Sequence, residues 1–177
     1  MSSATSAEEV LDVRIRPSVV ADAGEVFTVQ RAAFIEEAHL YQTVDTPALT
    51  QTFEELKAEL ATNSGCVALV GSRMVGSVTA RSIGDLLKIG RLAVVPDLQG
   101  RGIGTRLLEA VEARSDASEA ELYTGALSVA NLRLYQRVGY VETHRVTLPA
   151  VELVYLRKRL PRSLSGGEPA QPIVPHT

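Results

Sequence analysis

The sequence predicts a mixed α/β fold in which a central, mostly antiparallel sheet of about seven strands is flanked by four helices. Short apolar runs bounded by turn residues, which are typical of strands, alternate along the chain with segments whose apolar residues recur at helical spacing. Tight turns also join several consecutive strands, and such turns place neighbouring strands antiparallel. Together these observations predict the element order β-α-α-β-β-β-α-β-α-β-β.

The predicted strands lie between clusters of Gly, Pro, Asn and Asp. They comprise residues 13–16, 66–70, 74–83, 86–95, 122–124, 140–147 and 151–157. The second and third strands are joined by the tight turn Gly71-Ser72-Arg73, and the last two form a hairpin across Pro149.

The predicted helices begin at capping signals. Asp22 with Glu25 and Thr52 with Glu55 have the spacing of a capping box, and Ser128 is a candidate cap for the last helix. Residues 42–50, between the first two helices, are predicted to form a loop. The helices are expected to run from Asp22 to about Ala38, from Thr52 to the stop at Asn63, over residues 103–111, and from Val129 to Val138.

Composition indicates one folded domain and excludes several function classes. The 177 residues are 45% hydrophobic and 22% charged, and the formal net charge of −3 offers no basic surface for a nucleic acid. No segment approaches the roughly 20 apolar residues of a membrane span, and the polar N-terminus has no apolar signal core. We therefore expect a cytoplasmic protein without nucleic-acid or membrane partners.

The sequence also indicates where the folded domain begins and ends and what its single cysteine does. Residues 1–9 are expected to be a flexible N-terminus, residues 10–160 the folded domain, and residues 161–177, rich in Pro and Gly, a disordered tail. The single cysteine, Cys66, excludes an internal disulfide and a cysteine-based zinc site, and it begins an apolar run. We expect a buried structural thiol there and no metal.

A glycine-rich segment, residues 99–105, joins the buried fourth strand to a helix. Glycines allow backbone N–H groups to converge, and at a helix N-terminus these groups lack intrahelical partners and carry the positive end of the helix dipole. The segment therefore predicts a pocket for a phosphate or pyrophosphate, to which Arg101 and Arg106 add charge; a merely tight connection is the alternative. The lysine of a nucleotide P-loop is absent, and the glycine spacing differs from the dinucleotide fingerprint.

Residues 99–104, QGRGIG, resemble the Gln/Arg-x-x-Gly-x-Gly/Ala signature of the GNAT superfamily of acetyl-CoA-dependent N-acetyltransferases. Residues 92–96 are similar to the fourth strand of that family, and residues 131–140 to its Asn…Leu-Tyr-x-x-x-Gly-Phe/Tyr helix. The element order also matches over residues 10–160. The resemblance implies a GNAT fold and an enzyme that transfers acetyl from acetyl-CoA to a primary amine by direct attack in a ternary complex.

The resemblance also implies roles for individual residues. The backbone of Leu92, Ala93 and Val94 would pair with the pantetheine arm, and the Val94 N–H would stabilise the oxyanion of the tetrahedral intermediate. Tyr135, a neutral phenol, would contact the thioester and protonate the departing thiolate. Asn131 either contacts the cofactor or only caps and solvates the first helical turn. The pyrophosphate would be bound by Gln99, Gly100, Arg101, Gly102, Ile103, Gly104 and Thr105.

The sequence identifies the residues that would contact the acceptor less clearly than those that would contact acetyl-CoA. Some family members carry a glutamate base on the fourth strand, but residues 86–91 contain no carboxylate, so the base is not identified. Lys88 and Arg91 in that stretch either favour an anionic acceptor or are solvated strand residues. Glu37 and Tyr41 lie one helical turn apart and are the predicted acceptor contacts, with a solvated acidic helix end as the alternative.

Several functions remain compatible with these motifs. The alternative to an enzyme is an acyl-CoA-binding sensor or regulatory protein of the same fold, and a third hypothesis is a partner-binding protein with an empty cleft. The acceptor is a small molecule or a peptide amine. The fold serves many acceptors, so small amines, amino acids, antibiotics, peptide N-termini and lysines all stay open. A homodimer through the outer strands is a further possibility.

Overall fold

Seven strands form one sheet in the computed structural model, which describes residues 11–161. They are β1 (Val13–Pro17), β2 (Cys66–Val70), β3 (Arg73–Ile83), β4 (Leu86–Val94), β5 (Glu119–Gly125), β6 (Val141–Thr147) and β7 (Glu152–Arg159). The order in the sheet is β1-β2-β3-β4-β5-β7-β6, and every neighbouring pair is antiparallel except β4–β5. The predicted mostly antiparallel sheet of seven strands is thereby confirmed.

The helices of the described residues are α1 (Ala23–Tyr41), α2 (Pro47–Thr50), α3 (Phe53–Thr62), α4 (Ile103–Ala113) and α5 (Val129–Arg137). The four longer ones are the four predicted helices. α2 is a single turn within the predicted loop, and Pro47 at its first position favours it. α1 continues beyond Ala38 and ends where Gln42 adopts a left-handed conformation with φ 52°.

The two predicted capping boxes have different outcomes. At α3 the box forms as predicted: the Glu55 N–H donates to Thr52 Oγ1 at 3.3 Å, and the Thr52 N–H donates to the Glu55 carboxylate at 2.7 Å. At α1 the prediction is wrong, because the Asp22 side chain caps no N–H of that helix. Its carboxylate instead accepts from the Arg16 guanidinium at 2.7 Å and from the Val19 N–H at 2.8 Å.

The core lies on both faces of the sheet, since β3 is buried without interruption from Met74 to Ala80. α1 packs on β3 and β4, and α4 packs across β1 to β4. Cys66 is only 1% exposed, as the sequence predicts, and burial raises the pKa of its thiol. This rigid centre holds the ends of β4 and β5, where the candidate site lies.

The predicted flexible N-terminus, residues 1–9, and nearly all of the predicted tail, residues 161–177, lie outside the described residues. Within residues 11–161, no helix is both long and apolar enough to cross a bilayer. The same residues contain no group of three or more His, Cys, Asp or Glu side chains that could hold a metal ion.

Candidate functional site

The parallel strands β4 and β5 separate in the middle of the sheet. They pair only where residues 86–88 lie beside residues 119–121, although both strands continue well beyond that point. Past Lys88 the β4 backbone is irregular: Arg91 has a left-handed φ of 46°, and the register with β3 shifts. The result is an open wedge between the C-terminal ends of two strands, next to the starts of α4 and α5.

Two cavities meet at this wedge. The first, about 670 Å³, is lined by the glycine-rich segment and the start of α5, and we call it the glycine-loop cavity. The second, about 590 Å³, is lined by α1, β3, β4 and residues 148–153 of the β6–β7 hairpin, and we call it the hairpin cavity. Both cavities are lined by Phe34, Glu37, Leu92 and Asn131, which therefore mark their junction.

The glycine-rich segment presents unpartnered N–H groups to the first cavity. From residue 99 to residue 105, no backbone N–H donates to another described residue. Gly100 and Gly102 have left-handed φ values of 74° and 77°, which glycine adopts without strain. All predicted residues of this segment line the cavity except Arg101, which is exposed. Unpartnered N–H groups at the start of a helix such as α4 are suited to bind an anion.

Arg106 does not add charge to this cavity, contrary to the sequence prediction. Its guanidinium donates to the Val13 carbonyl on β1 at 2.6 Å. A cation that the sequence analysis missed, Arg137, lines the cavity from the last turn of α5. Its helical position and basic character were visible in the sequence, but its proximity to the glycine segment depends on how α5 packs.

The edge of β4 exposes backbone groups to the wedge at Val94. The Val95 N–H donates to Val75 of β3 at 2.9 Å, so by antiparallel alternation the Val94 N–H and C=O point away from β3. In agreement, the Val94 carbonyl accepts from the Gln99 side chain at 3.1 Å. By the same alternation, Ala93 directs its N–H and C=O towards β3, and it lines neither cavity, so its backbone does not face the wedge.

Tyr135 lines the hairpin cavity from α5 and is only 6% exposed. Its ring packs against Tyr140 with centroids 6.2 Å apart, and its hydroxyl makes no hydrogen bond to any residue in the described part of the chain. Burial raises the pKa of the Tyr135 phenol, and the nearby Glu37 carboxylate raises it further. The phenol is therefore a protonated donor at neutral pH.

Glu37 is the carboxylate at the junction of the two cavities. Burial raises the pKa of Glu37, and hydrogen bonding from the Ser128 side chain opposes part of that rise. The side chain has no ion pair with any described cation. Glu37 is half-buried at this helix end, which distinguishes it from a fully solvated carboxylate.

Tyr41 fixes the end of α1 against the start of α5. Its hydroxyl accepts from the Leu127 N–H at 2.8 Å and lies 3.4 Å from the Ser128 hydroxyl. A Cβ at Gly125 would lie 2.0 Å from this hydroxyl, so the close approach requires glycine at that position. Ser128 is consequently not the predicted cap of α5, since its side chain caps no N–H of that helix and instead faces Tyr41 and Glu37.

Asn131 does not cap α5 either, because it lies within the helix. Its side-chain amide donates to the Thr124 hydroxyl on β5 at 3.4 Å, and it lines both cavities. The structure thus brings Asn131 together with Glu37, Leu92 and Tyr135 in the lining of the hairpin cavity.

Comparisons with known proteins agree with this architecture. Residues 61–142 match the model of the acetyltransferase (GNAT) domain family. The UPF0157 protein YqkA of Bacillus subtilis is 26% identical over 125 residues, which cover 70% of this chain and 36% of that protein. The chain therefore spans about a third of the length of this curated relative.

Solved structures show the same fold at low sequence identity. A putative acetyltransferase from Acinetobacter baylyi has a TM-score of 0.71 and 17% identity, and the likeness covers 86% of this chain and 95% of that chain. The PaiA N-acetyltransferase from Thermoplasma acidophilum, solved in complex with coenzyme A, has a TM-score of 0.69 and 17% identity, with 83% and 98% coverage.

Proposed function

Because the chain belongs to the GNAT superfamily of acyltransferases, we propose that it transfers the acetyl group of acetyl-CoA to a primary amine by direct attack in a ternary complex. The observation that carries this proposal is the meeting of two cavities between a carboxylate and a buried phenol. One cavity has an anion-binding loop suited to a diphosphate, and the other opens towards Glu37 and Tyr135. Two substrates can therefore meet at one point without a covalent enzyme intermediate.

The donor fits the glycine-loop cavity. A diphosphate would accept hydrogen bonds from the free N–H groups of residues 99–105, and Arg137 would add positive charge. The pantetheine arm would lie along β4, where Leu92 lines the cavity and Val94 turns its backbone groups outward. Acetyl-CoA would supply an activated thioester carbonyl at the junction.

The chemistry of the transfer assigns one role to each group at the junction. The neutral amine forms a bond to the thioester carbon, and the Val94 N–H stabilises the negative charge that develops on the carbonyl oxygen. Glu37 accepts the proton that the amine nitrogen loses, since its raised pKa suits a base at neutral pH. The carbon–sulfur bond then breaks, and Tyr135 donates a proton to the leaving thiolate.

Calorimetric titration with acetyl-CoA, followed by a thiol-release screen of amines, tests the proposal. Saturable binding together with acetylation of an amine supports it. Binding without acetylation of any amine favours the acyl-CoA sensor instead. No binding of acetyl-CoA contradicts both functions, because both require the donor cavity.

Replacing Gly102 by valine is expected to weaken acetyl-CoA binding by tenfold or more. A β-branched residue is strained at φ 77°, so the loop must move and its N–H groups diverge. Gly84→Val is the matched control, since Gly84 has a φ of 59° in the β3–β4 turn and lines neither cavity. Equal acetyl-CoA dissociation constants for the two variants would contradict the role of the glycine loop.

A further inference from the structure

The charged side chains that line the hairpin cavity are separated by sign between its walls. The wall formed by α1 and the loop after it carries Glu37 and Asp45 and no cation. The wall formed by β3 and β4 carries Arg81, Lys88 and Arg91. A ligand in this cavity therefore lies between an acidic wall and a basic wall.

Neighbouring carboxylates neutralise the three cations to different degrees. Arg91 forms an ion pair with Glu59 of α3, which also lines the cavity. Lys88 Nζ lies 3.3 Å from Glu121, a buried carboxylate that also binds an arginine of β7. Arg81 makes no ion pair within the described residues, and its side chain is exposed. Arg81 is thus the cation with charge left for a ligand.

The register of the sheet places Arg81 away from the junction of the two cavities, where the reaction would take place. Arg81 pairs with Lys88 across β3 and β4, so both side chains lie on the same face of the sheet. From Lys88, β4 runs four residues, about 13 Å, to Leu92 at the junction of the cavities. The length of an arginine side chain and of an acceptor of several carbons can close this gap.

We propose that the acceptor is an amine that also carries an anionic group, with the amine directed to Glu37 and the anionic group to Arg81. This inference rests on the proposed amine acetylation. Between the two charges the cavity offers apolar contacts from Phe34, Leu122 and Leu153. A polycationic acceptor is disfavoured, because its second ammonium would lie beside the basic wall.

Three six-carbon amines that differ only at the far end test the acceptor class. They are 6-aminohexanoate, hexylamine and hexane-1,6-diamine, which end in a negative, a neutral and a positive group. We expect kcat/KM to be about tenfold higher for 6-aminohexanoate than for hexane-1,6-diamine, with hexylamine between them.

The Arg81→Gln variant identifies the residue responsible. It is expected to reduce the tenfold difference to less than threefold and to leave kcat/KM for hexylamine within twofold of the original value. Arg133→Gln is the matched control, because Arg133 is an exposed arginine of α5 that lines neither cavity. An Arg81 variant that keeps the full difference would overturn the role of this arginine.

Calorimetric binding of each compound to the CoA-loaded protein separates this inference from the proposed function. A binding preference for the anionic compound without acetylation of any amine overturns the proposed function and supports only the binding of an anionic group at Arg81. Acetylation without preference for 6-aminohexanoate overturns the acceptor class alone. Absence of both binding and acetylation for every compound overturns the acceptor class as well.

Discussion

Replacing Glu37 by glutamine is expected to lower kcat/KM for an amine acceptor about 100-fold at pH 7, within the range of a lost general base. Glutamine keeps the shape of the side chain but cannot take up the amine proton. The Kd for acetyl-CoA should stay within threefold, since the proposed diphosphate site is on residues 99–105. Steady-state kinetics together with calorimetry measure both quantities.

The effect of Glu37→Gln should depend on pH in a defined direction. Activity of the unmodified protein rises as Glu37 loses its proton, and burial places that step above the usual pKa of a glutamate. Within residues 11–161, Glu37 interacts with Ser128 and Tyr135, and neither is a cation. The variant lacks this step, and its defect should shrink at low pH, where Glu37 of the unmodified protein is protonated and cannot act as a base.

The melting temperature of the Glu37→Gln variant distinguishes a catalytic role of Glu37 from a structural role. A carboxyl group whose pKa is raised on folding lowers stability once pH exceeds its unfolded pKa. Glu37→Gln is therefore expected to leave Tm at pH 7 unchanged or higher. Glu25→Gln, an exposed position in the first turn of α1, is the control with unchanged kinetics. A lower Tm that accompanies the lost activity would indicate a structural role, and unchanged kcat/KM would exclude the base.

The sequence predicted elements whose signal is local. The strands and the four longer helices follow from runs of apolar residues and from turn residues, and all of them form near the predicted positions. The Thr52–Glu55 box lies on an exposed helix start, where no other group competes for its side chains. Gly102 likewise ends its strand-to-helix connection with the positive φ that its position required.

The incorrect predictions involve side chains that have partners distant in sequence or in another element. Asp22 has the spacing of a cap, but Arg16 on β1 offers a charged hydrogen-bond partner, which is stronger than a neutral N–H. Arg106 extends to β1 rather than to the glycine loop because the Val13 carbonyl lies within its reach. Ser128 faces the end of α1, and no local pattern reports that contact.

Glu37, the candidate base, shows most clearly that contacts between distant elements cannot be predicted from the local sequence. In the sequence, Glu37 is an acidic residue near a helix end, where solvated carboxylates are common. In the fold, Glu37 lines the same cavity as Tyr135 and Leu92, and burial raises its pKa. In the proposed mechanism, this carboxylate of α1 is the base that residues 86–91 of the fourth strand do not supply.

Replacing Tyr135 by phenylalanine is expected to lower kcat about 100-fold, because the leaving thiolate loses its proton donor. The change removes only a hydroxyl that has no hydrogen bond to a described residue, and the ring can keep its contact with Tyr140. The Kd for acetyl-CoA should therefore change less than threefold. Tyr155→Phe is the control, since that tyrosine lines neither cavity. Unchanged kcat in Tyr135→Phe would remove the acid role, and a selective rise in Kd would reassign Tyr135 to binding.

The double variant Glu37→Gln/Tyr135→Phe tests whether the proton transfer to Glu37 and the proton transfer from Tyr135 are coupled. The Glu37 carboxylate raises the pKa of Tyr135, so a proton transferred from the amine to Glu37 removes that negative charge and makes Tyr135 a better acid. Amine deprotonation would thus prepare thiolate protonation. When two groups act together, removing both costs less activity than the two single effects combined. The fold-loss of activity in the double variant should therefore be far smaller than the product of the two single fold-losses. If the fold-loss in the double variant equals the product of the two single fold-losses, the two groups act independently.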